Sequence, residues 1–296
     1  MQDSKVNNVH LFIIPAVIWG STWYVITFQL GTVDPLLSVS YRFLAGSFII
    51  LSYCLIKRKS LNYPLKVHAR IALQGSLLFG MNYWLVYQSE SLINSGLVAV
   101  AFSTIIFFNM IFGAIFLRLK VVSKVISGAL LGLLGTAIIF KDELQSFSMG
   151  SDSVTGIVLC FLGVASASLG NIVSASNSKI NIPVIQSTAF GMGYGGLLML
   201  GIALVVGKTI VFDTSLAYVL SLSYLTIFGS IIAFVTYLTL ISKIGPDRAA
   251  YAIVLLPLIA VTISTFLEGF NFTVYTALGM SLLLLGNYFA LAKKSG

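Results

Sequence analysis

The sequence predicts an all-α, polytopic membrane protein with ten transmembrane helices arranged as two inverted five-helix repeats. Three observations predict it. Of 296 residues, 58% are hydrophobic and 9% charged, with a mean hydropathy of +1.00, which excludes a soluble fold. A spanning helix needs about 20 mostly apolar residues, and ten such segments can be marked: 10–29, 35–56, 69–88, 94–116, 122–140, 153–175, 184–207, 215–241, 247–267 and 272–292. When the connections are assigned alternately to two sides, the basic residues sort by side.

The first segment holds an apolar stretch from Leu11 to Leu30. That exceeds the roughly 7–15-residue core of a cleaved signal peptide and no A-x-A site closes it, so it is read as a retained helix. The second opens at Pro35 and contains Arg42, the one ionisable residue clearly inside a span. The third carries Asn82, Tyr83 and Tyr87, and the fourth Ser103 and Asn109. In the fifth, Gly128 and Gly132 have the small-xxx-small spacing that lets helices approach closely. Ser168 and Asn171 lie in the sixth; Gly191, Gly195 and Gly196 give the seventh its own small-residue face. Thr236 and Tyr237 belong to the eighth and Tyr251 to the ninth, where Pro257 removes a backbone hydrogen bond and is expected to kink the helix as a hinge. Gly279 and Gly286 mark the tenth. Such glycine faces serve packing within one chain or pairing of two, so a monomer or a homodimer is expected.

The side holding both termini collects Lys5, Lys57, Arg58, Lys59, Lys66, Arg70, Arg118, Lys120, Lys124, Lys179, Lys243, Arg248, Lys293 and Lys294; the other collects only Lys141 and Lys208. Acids do the reverse, but carry little orienting weight; Lys and Arg in short loops mark the cytoplasmic side. Both termini are therefore expected in the cytoplasm, with the chain in the cell (inner) membrane. The net charge of +8 is the product of this bias, suited to anionic headgroups at about 1 kcal/mol per basic residue. The lipid bilayer and a small-molecule substrate are the expected partners, with no nucleic acid. Cys54 and Cys160 both fall within spans, without CxxC or Cys/His spacing, and read as small hydrophobes. No cofactor or metal is expected.

Self-comparison reveals an internal repeat. Gly128 matches Gly279, Gly135 matches Gly286 and Ala99 matches Ala250, each 151 residues apart. Phe79-Gly80 matches Phe228-Gly229 at 149, Tyr87 matches Tyr237 and Gly20 matches Gly170 at 150, and Pro35 matches Pro183 at 148. The halves are 1–148 and 149–296. An odd number of spans per half makes the second copy enter from the opposite side. The fourth-to-fifth connection, with Arg118 and Lys120, has a counterpart bearing Glu268 and no base, as opposite sidedness requires. Inverted repeats of this kind underlie alternating access.

Several of these pieces together resemble the EamA family of the drug/metabolite transporter superfamily over essentially the whole chain. They are Ile18-Trp19-Gly20-Ser21, Pro35 with Tyr41-Arg42-Phe43, Leu256-Pro257, Phe266-Leu267-Glu268-Gly269, Gly279 and Gly286. The first half departs from the pattern: Ile106 stands where the second half has Pro257, and Leu117-Arg118 replaces the Leu-Glu turn. The resemblance implies a five-plus-five carrier of amino acids, other metabolites or toxic compounds, with export favoured. It also implies a central cavity surrounded by helices one, three, four, six, eight and nine.

Catalysis needs an acid, base, nucleophile or metal set within reach. The spans hold no Asp or Glu away from their ends, and His10 and His68 lie at cytoplasmic edges, so no enzyme is expected. A channel filter is not visible, and the loops are too short for a scaffold. An importer or exchanger of the same fold remains open. Arg42 lies about 10 Å below the outer boundary at 1.5 Å per residue. It is read either as an anchor for a substrate carboxylate or phosphate, or as a structural group that snorkels, binds helix-end carbonyls or pairs with Asp34. The other candidate substrate contacts are Trp19, Thr22 and Trp23 on one helix face, Asn82, Tyr83, Tyr87, Ser103, Asn109, Asn171, Tyr237 and Tyr251. Structural uses, as interface aromatics or interhelical hydrogen bonds, compete at each. Proton-driven carriers commonly relay the proton through intramembrane Asp, Glu or His. None is evident, which favours facilitated efflux or exchange unless Glu90 or Glu268 at a helix end faces the cavity.

Overall fold

In a computed structural model the chain is built of helices joined by short turns. The structure describes residues 9–29, 31–93, 98, 101–121, 123–146, 151–267 and 272–291, with no strand among them. Helix α1 is Val9–Ile26, extended by a 3₁₀ turn at Thr27–Gln29, and α2 is Pro35–Ile56. Helix α3 runs through Leu65–Gly75, a π-helical stretch Ser76–Met81 and Asn82–Glu90. Ile105–Leu117 is α4, Ser123–Ile139 is α5, and Ser151–Lys179 is α6, reached through the short helix Lys141–Ser146. Val184–Val205 is α7; α8 comprises Leu216–Tyr224, a second π-helical stretch Leu225–Ile232, and Ala233–Ile244. Helix α9 comes in pieces, Pro246–Ala249, Tyr251–Val254 and Leu256–Leu267, and α10 is Val274–Leu291.

Among the described residues six stretches are long and apolar enough to cross a membrane: Val9–Ile26, Pro35–Ile56, Asp152–Lys179, Val184–Val205, Leu216–Ile244 and Pro246–Ile263. Ile105–Leu117, Ser123–Ile139 and Val274–Phe289 are shorter apolar helices. The expected third span is not among the six. Its helix begins at Leu65 rather than at 69 and carries Lys66, Arg70 and Gln74 in its first turns, which lowers its hydropathy. Polarity is inverted relative to a soluble protein. Phe48, Ile56, Val205 and Phe266 face outward, whereas Ser40, Gln74, Asn109, Thr136 and Ser230 are fully buried. Only a hydrocarbon surround makes that distribution favourable.

Local chemistry explains where elements begin. Asp34 caps α2, accepting from the Leu36 N–H at 3.0 Å, with Pro35 at the first helical position, where its missing N–H costs nothing. The same carboxylate meets Lys208 Nζ at 2.8 Å, tying the start of α2 to the end of α7. The π stretches of α3 and α8 lie 149 residues apart. Left-handed residues close the turns before α2 and α7 at Gly31 and Asn181, 150 apart.

The turn that leads into helix α4 and the break within helix α9 fall at matching points. At Thr104 and at Leu255, 151 residues apart, the chain switches to a shorter repeat: Phe107 N–H donates to Thr104 O at 2.9 Å and Leu258 N–H to Leu255 O at 3.1 Å. Proline was expected to bend only α9. Pro257 is the second residue of the segment Leu256–Leu267, so it tolerates the interruption two residues ahead of it. In α4, Thr104 takes over: its hydroxyl donates to Ala101 O at 2.5 Å, competing with the regular helical pattern.

Packing follows the same correspondence. Helix α2 lies along α7 and α5 along α10; α1 packs on α8 and α9, while α6 packs on α3 and α4. Exchanging each helix for the one five later leaves this set unchanged. In the α5–α10 pair, a Cβ on Gly135 would stand 2.6 Å from Gly279 O, and one on Gly286 2.6 Å from Gly128 O. The glycine spacings therefore serve contact between helices of one chain at these positions. Gly135→Leu should force the two backbones apart and cost about 1–3 kcal/mol, read as a lower thermal unfolding midpoint in detergent. Gly201→Ala, where a Cβ meets nothing within 4 Å, should leave the midpoint unchanged.

Candidate functional site

Where α1, α3, α4, α6, α8 and α9 converge, they enclose a cavity of about 110 Å³, and Arg42 reaches it from α2. The site can be built from α8 outward. Its π-helical stretch adds a residue to the turn and displaces the backbone from the regular ladder. Gly229 O thereby accepts the indole N–H of Trp19 at 2.9 Å, and Ser230 Oγ accepts Arg42 Nε at 2.7 Å. Gly229 itself leaves room beside the guanidinium: a Cβ there would lie 3.0 Å from Arg42 Nη2 and 3.1 Å from Thr22 Cγ2.

Arg42 is 2% exposed. Its guanidinium carbon stands 5.1 Å from the Tyr83 ring centre and 5.4 Å from that of Phe43, within cation–π range. Its Nη1 has no hydrogen-bond partner among the described residues. Asp34, the acid considered for it, is engaged by Lys208, and the ion pairs among the described residues do not include Arg42. Aromatic rings form the wall beside it. Trp19 meets Phe234 edge-on at 4.9 Å and Tyr237 at 5.2 Å; Phe79 meets Phe234 at 4.8 Å and Phe43 meets Tyr83 at 4.9 Å.

Of the residues proposed from sequence, Trp19, Thr22, Arg42, Asn82, Tyr83, Tyr87, Asn171 and Tyr237 line this cavity. Asn82 donates to Leu78 O at 3.5 Å, and Asn171 Nδ2 reaches the Tyr237 hydroxyl at 3.5 Å. The amide oxygens of both asparagines have no partner among the described residues. The side chain of Trp23 lies outside the described residues, as do Glu268 and the side chain of Glu90.

Three candidates face helix neighbours instead. Ser103 bonds Thr136 Oγ1 at 3.2 Å, holding the start of α4 to α5. Asn109 donates to Pro246 O at 2.9 Å and accepts from Ser168 Oγ at 2.7 Å, joining α4, α6 and the entry to α9. Tyr251 donates to Val125 O at 2.6 Å. These bonds pair the buried polar side chains of Ser103, Asn109 and Tyr251 with neighbouring helices. Pro257 is not in the cavity wall, although the preceding Leu256 is.

Sequence reasoning passed over the apolar part of the wall, including Leu78, Phe102, Ile105, Phe234, Ile253 and Leu256. Apolar residues in an apolar span carry no signal of their own. One signal was available in the repeat offsets: Tyr87 and Tyr237 are 150 apart, while Phe102 and Ile253, and Ile105 and Leu256, are 151 apart.

Known proteins complete the description. The model of the EamA-like transporter family matches residues 8–141 and again 154–292. An uncharacterized inner membrane transporter of Escherichia coli (strain K12), YedA, is 30% identical over 255 residues, covering 86% of this chain and 80% of that protein. Protein PagO of Salmonella typhimurium is 21% identical over 292 residues, 98% of this chain and 95% of that protein. The uncharacterized transporter YoaV of Bacillus subtilis is 22% identical over 245 residues, 82% of each chain. A protein of known crystal structure, 16% identical, superposes with a TM-score of 0.81 over 97% of both chains; at that identity the likeness concerns fold.

The separation between wall and scaffold is testable. Tyr251→Phe removes a buried hydrogen bond and should cost about 1 kcal/mol of stability, seen as a lower unfolding midpoint. Tyr237→Phe should leave most of the stability and instead change the affinity for whatever compound the cavity holds, measured by ligand-induced thermal shift.

Proposed function

This chain belongs to the EamA-like transporter family, and from that premise we propose that it is a secondary transporter of a small organic metabolite, an amino acid or similar amphipathic compound. It works by alternating access across the cytoplasmic membrane, in the direction of efflux. The observation that carries the reading is a buried cavity walled by aromatic rings, amides and one guanidinium, at the meeting point of six helices.

The architecture behind it is ten spans in two inverted halves, 1–148 and 149–296. The family model matching twice, the closed exchange of helix pairs and the matched interruptions at Thr104 and Leu255 support it. The pairing of wall residues about 150 apart supports a cavity on the axis relating the halves. Swapping the conformations of two such halves opens the same site to the other side.

Two buried polar clusters fit this scheme. Gln29 of the α1 extension donates to Tyr218 O at 3.0 Å and Ser221 Oγ at 2.6 Å, and Ser38 of α2 meets the Tyr218 hydroxyl at 2.9 Å. The corresponding helices form the other cluster: Asn177 of α6 and Ser187 of α7 both donate to Gln74 Oε1 of α3, at 2.9 and 2.8 Å. Ser38 and Ser187 are 149 residues apart. With five spans per half the clusters lie at opposite membrane faces, each clamping one end of the bundle.

The one-sided basic loops support a cytoplasmic location for both termini, and the relatives named as inner membrane transporters support that membrane. The described cavity wall contains no carboxylate or histidine, so the substrate's own gradient drives transport, by facilitated efflux or exchange. Untargeted metabolite analysis of medium and cells, from a host expressing this chain against an empty vector, tests the reading. A compound enriched in the medium only with the functional protein is expected; unchanged medium would point to import instead. In proteoliposomes, a pH gradient alone should not drive uphill uptake of that compound, and robust accumulation under ΔpH would overturn the uncoupled mechanism.

A further inference from the structure

Resting on the carrier reading above, we infer that Asn109 is the latch of the cytoplasmic gate. It ties together, on that side, the two groups of helices that enclose the cavity. The matched positions of the other gate are apolar, so the empty carrier is biased toward the state closed to the cytoplasm.

The two groups follow from packing. One is α1 with α8 and α9; the other is α6 with α3 and α4. Opening the cavity to either side requires one group to rock against the other. Among the described residues, the extensive packing between the groups comes from Ala233–Ile244 of α8 on α6, and from Pro246–Ala249 of α9 on α4 and α6. Both segments flank the connection that carries Lys243 and Arg248, on the side read as cytoplasmic. The groups are closed upon each other at that end.

Two side-chain bonds cross the same seam. Asn109 Nδ2 of α4 donates to Pro246 O at 2.9 Å, and Asn171 Nδ2 of α6 reaches the Tyr237 hydroxyl of α8 at 3.5 Å. The first is the stronger by its length. Asn109 is also held from behind, since its Oδ1 accepts from Ser168 Oγ at 2.7 Å within its own group. The residue is fully buried. Its amide is thus fixed by α6 and aimed at the entry to α9. When the groups part, water can reach both Asn109 and Pro246 O. While they are together, each is the other's partner, and a buried amide or carbonyl left alone is costly.

Asn109 has no polar match in the other half. By the repeat offsets of 151 and 150, Asn109 corresponds to Ala260 and Ser168 to Ile18. Neither side chain can form a hydrogen bond. Asn171 corresponds to Ser21, whose hydroxyl meets Tyr224 of its own group at 2.7 Å. Two gates related by the repeat therefore differ in chemistry, and the difference favours closure of the cytoplasmic one.

The test reads gate opening without knowledge of the substrate. Buried Cys54 and Cys160 are replaced by Ala, and Ala167→Cys places a reporter thiol in the cavity wall. A membrane-impermeant maleimide is then applied to inside-out and to right-side-out membrane vesicles. Asn109→Ala should raise labelling from the cytoplasmic face about five- to tenfold, the effect of losing one buried hydrogen bond, and should not raise it from the external face. Ser168→Ala keeps the bond to Pro246 and should give a smaller rise in the same direction; it decides the matter if Asn109→Ala does not fold. Tyr251→Phe removes a buried bond to Val125 O that lies outside the seam. It should leave both rates unchanged, which separates a latch from general loosening. No cytoplasmic rise in either variant, or an equal rise from both faces, overturns the inference. Labelling from both faces that no substitution alters keeps the carrier and sinks the latch. Labelling confined to one face in every variant, with Asn109 intact or replaced, removes the carrier reading as well.

Discussion

Hydrocarbon offers no partner to a backbone N–H or C=O, so a chain in a bilayer must satisfy those groups internally. That constraint decides nearly everything else here. It makes every described element a helix, and it confines departures from regular helix to places where protein covers them. Four of the departures are the π-helical stretches Ser76–Met81 and Leu225–Ile232, and the changes of helical pattern at Thr104 and Leu255. All four border the cavity, through Leu78, Ser230 beside Arg42, Ile105 and Leu256. Carbonyls at or beside these departures also take side-chain donors. Leu77 O accepts from Ser166, Gly229 O from Trp19, and Ala101 O from the Thr104 hydroxyl.

The helices do not all pack with the same closeness. In the α5–α10 and α3–α7 pairs the backbones touch through glycine, as at Gly135 against Gly279 and Gly195 against Gly75. Lipid tails are as apolar as the side chains between helices, so close van der Waals contact and interhelical hydrogen bonds supply most of the association. The wall of the cavity uses large rings instead, which hold the six helices around it apart. Tight pairs at the periphery and bulky residues at the centre are thus two solutions to one packing problem.

Polar residues divide into two populations on the same grounds. Asn109, Ser103, Tyr251 and Gln29 spend their hydrogen bonds on neighbouring helices. Arg42 and the amide oxygens of Asn82 and Asn171 keep capacity that no described residue uses.

Composition, hydropathy and loop charge were enough to determine an all-helical membrane protein, and its motifs were enough to determine its family. Apolar runs of spanning length, joined by loops with a one-sided Lys/Arg bias, are stable in a bilayer and would aggregate in water. The sequence also marked Trp19, Thr22, Arg42, Asn82, Tyr83, Tyr87, Asn171 and Tyr237, since polar and aromatic groups stand out against an apolar background. It did not tell them from Ser103, Asn109 and Tyr251, which are as polar and as deeply placed. Whether such a residue faces a cavity or a neighbouring helix depends on helix rotation and on partners more than 100 residues away, as with Asn109 and Pro246 or Tyr251 and Val125. The break at Thr104, with no proline to announce it, was likewise hidden, because a threonine bonds back along its helix in many settings and ends the regular pattern in few. Those choices are made by tertiary packing, which alone sets the direction in which each side chain finds its partner.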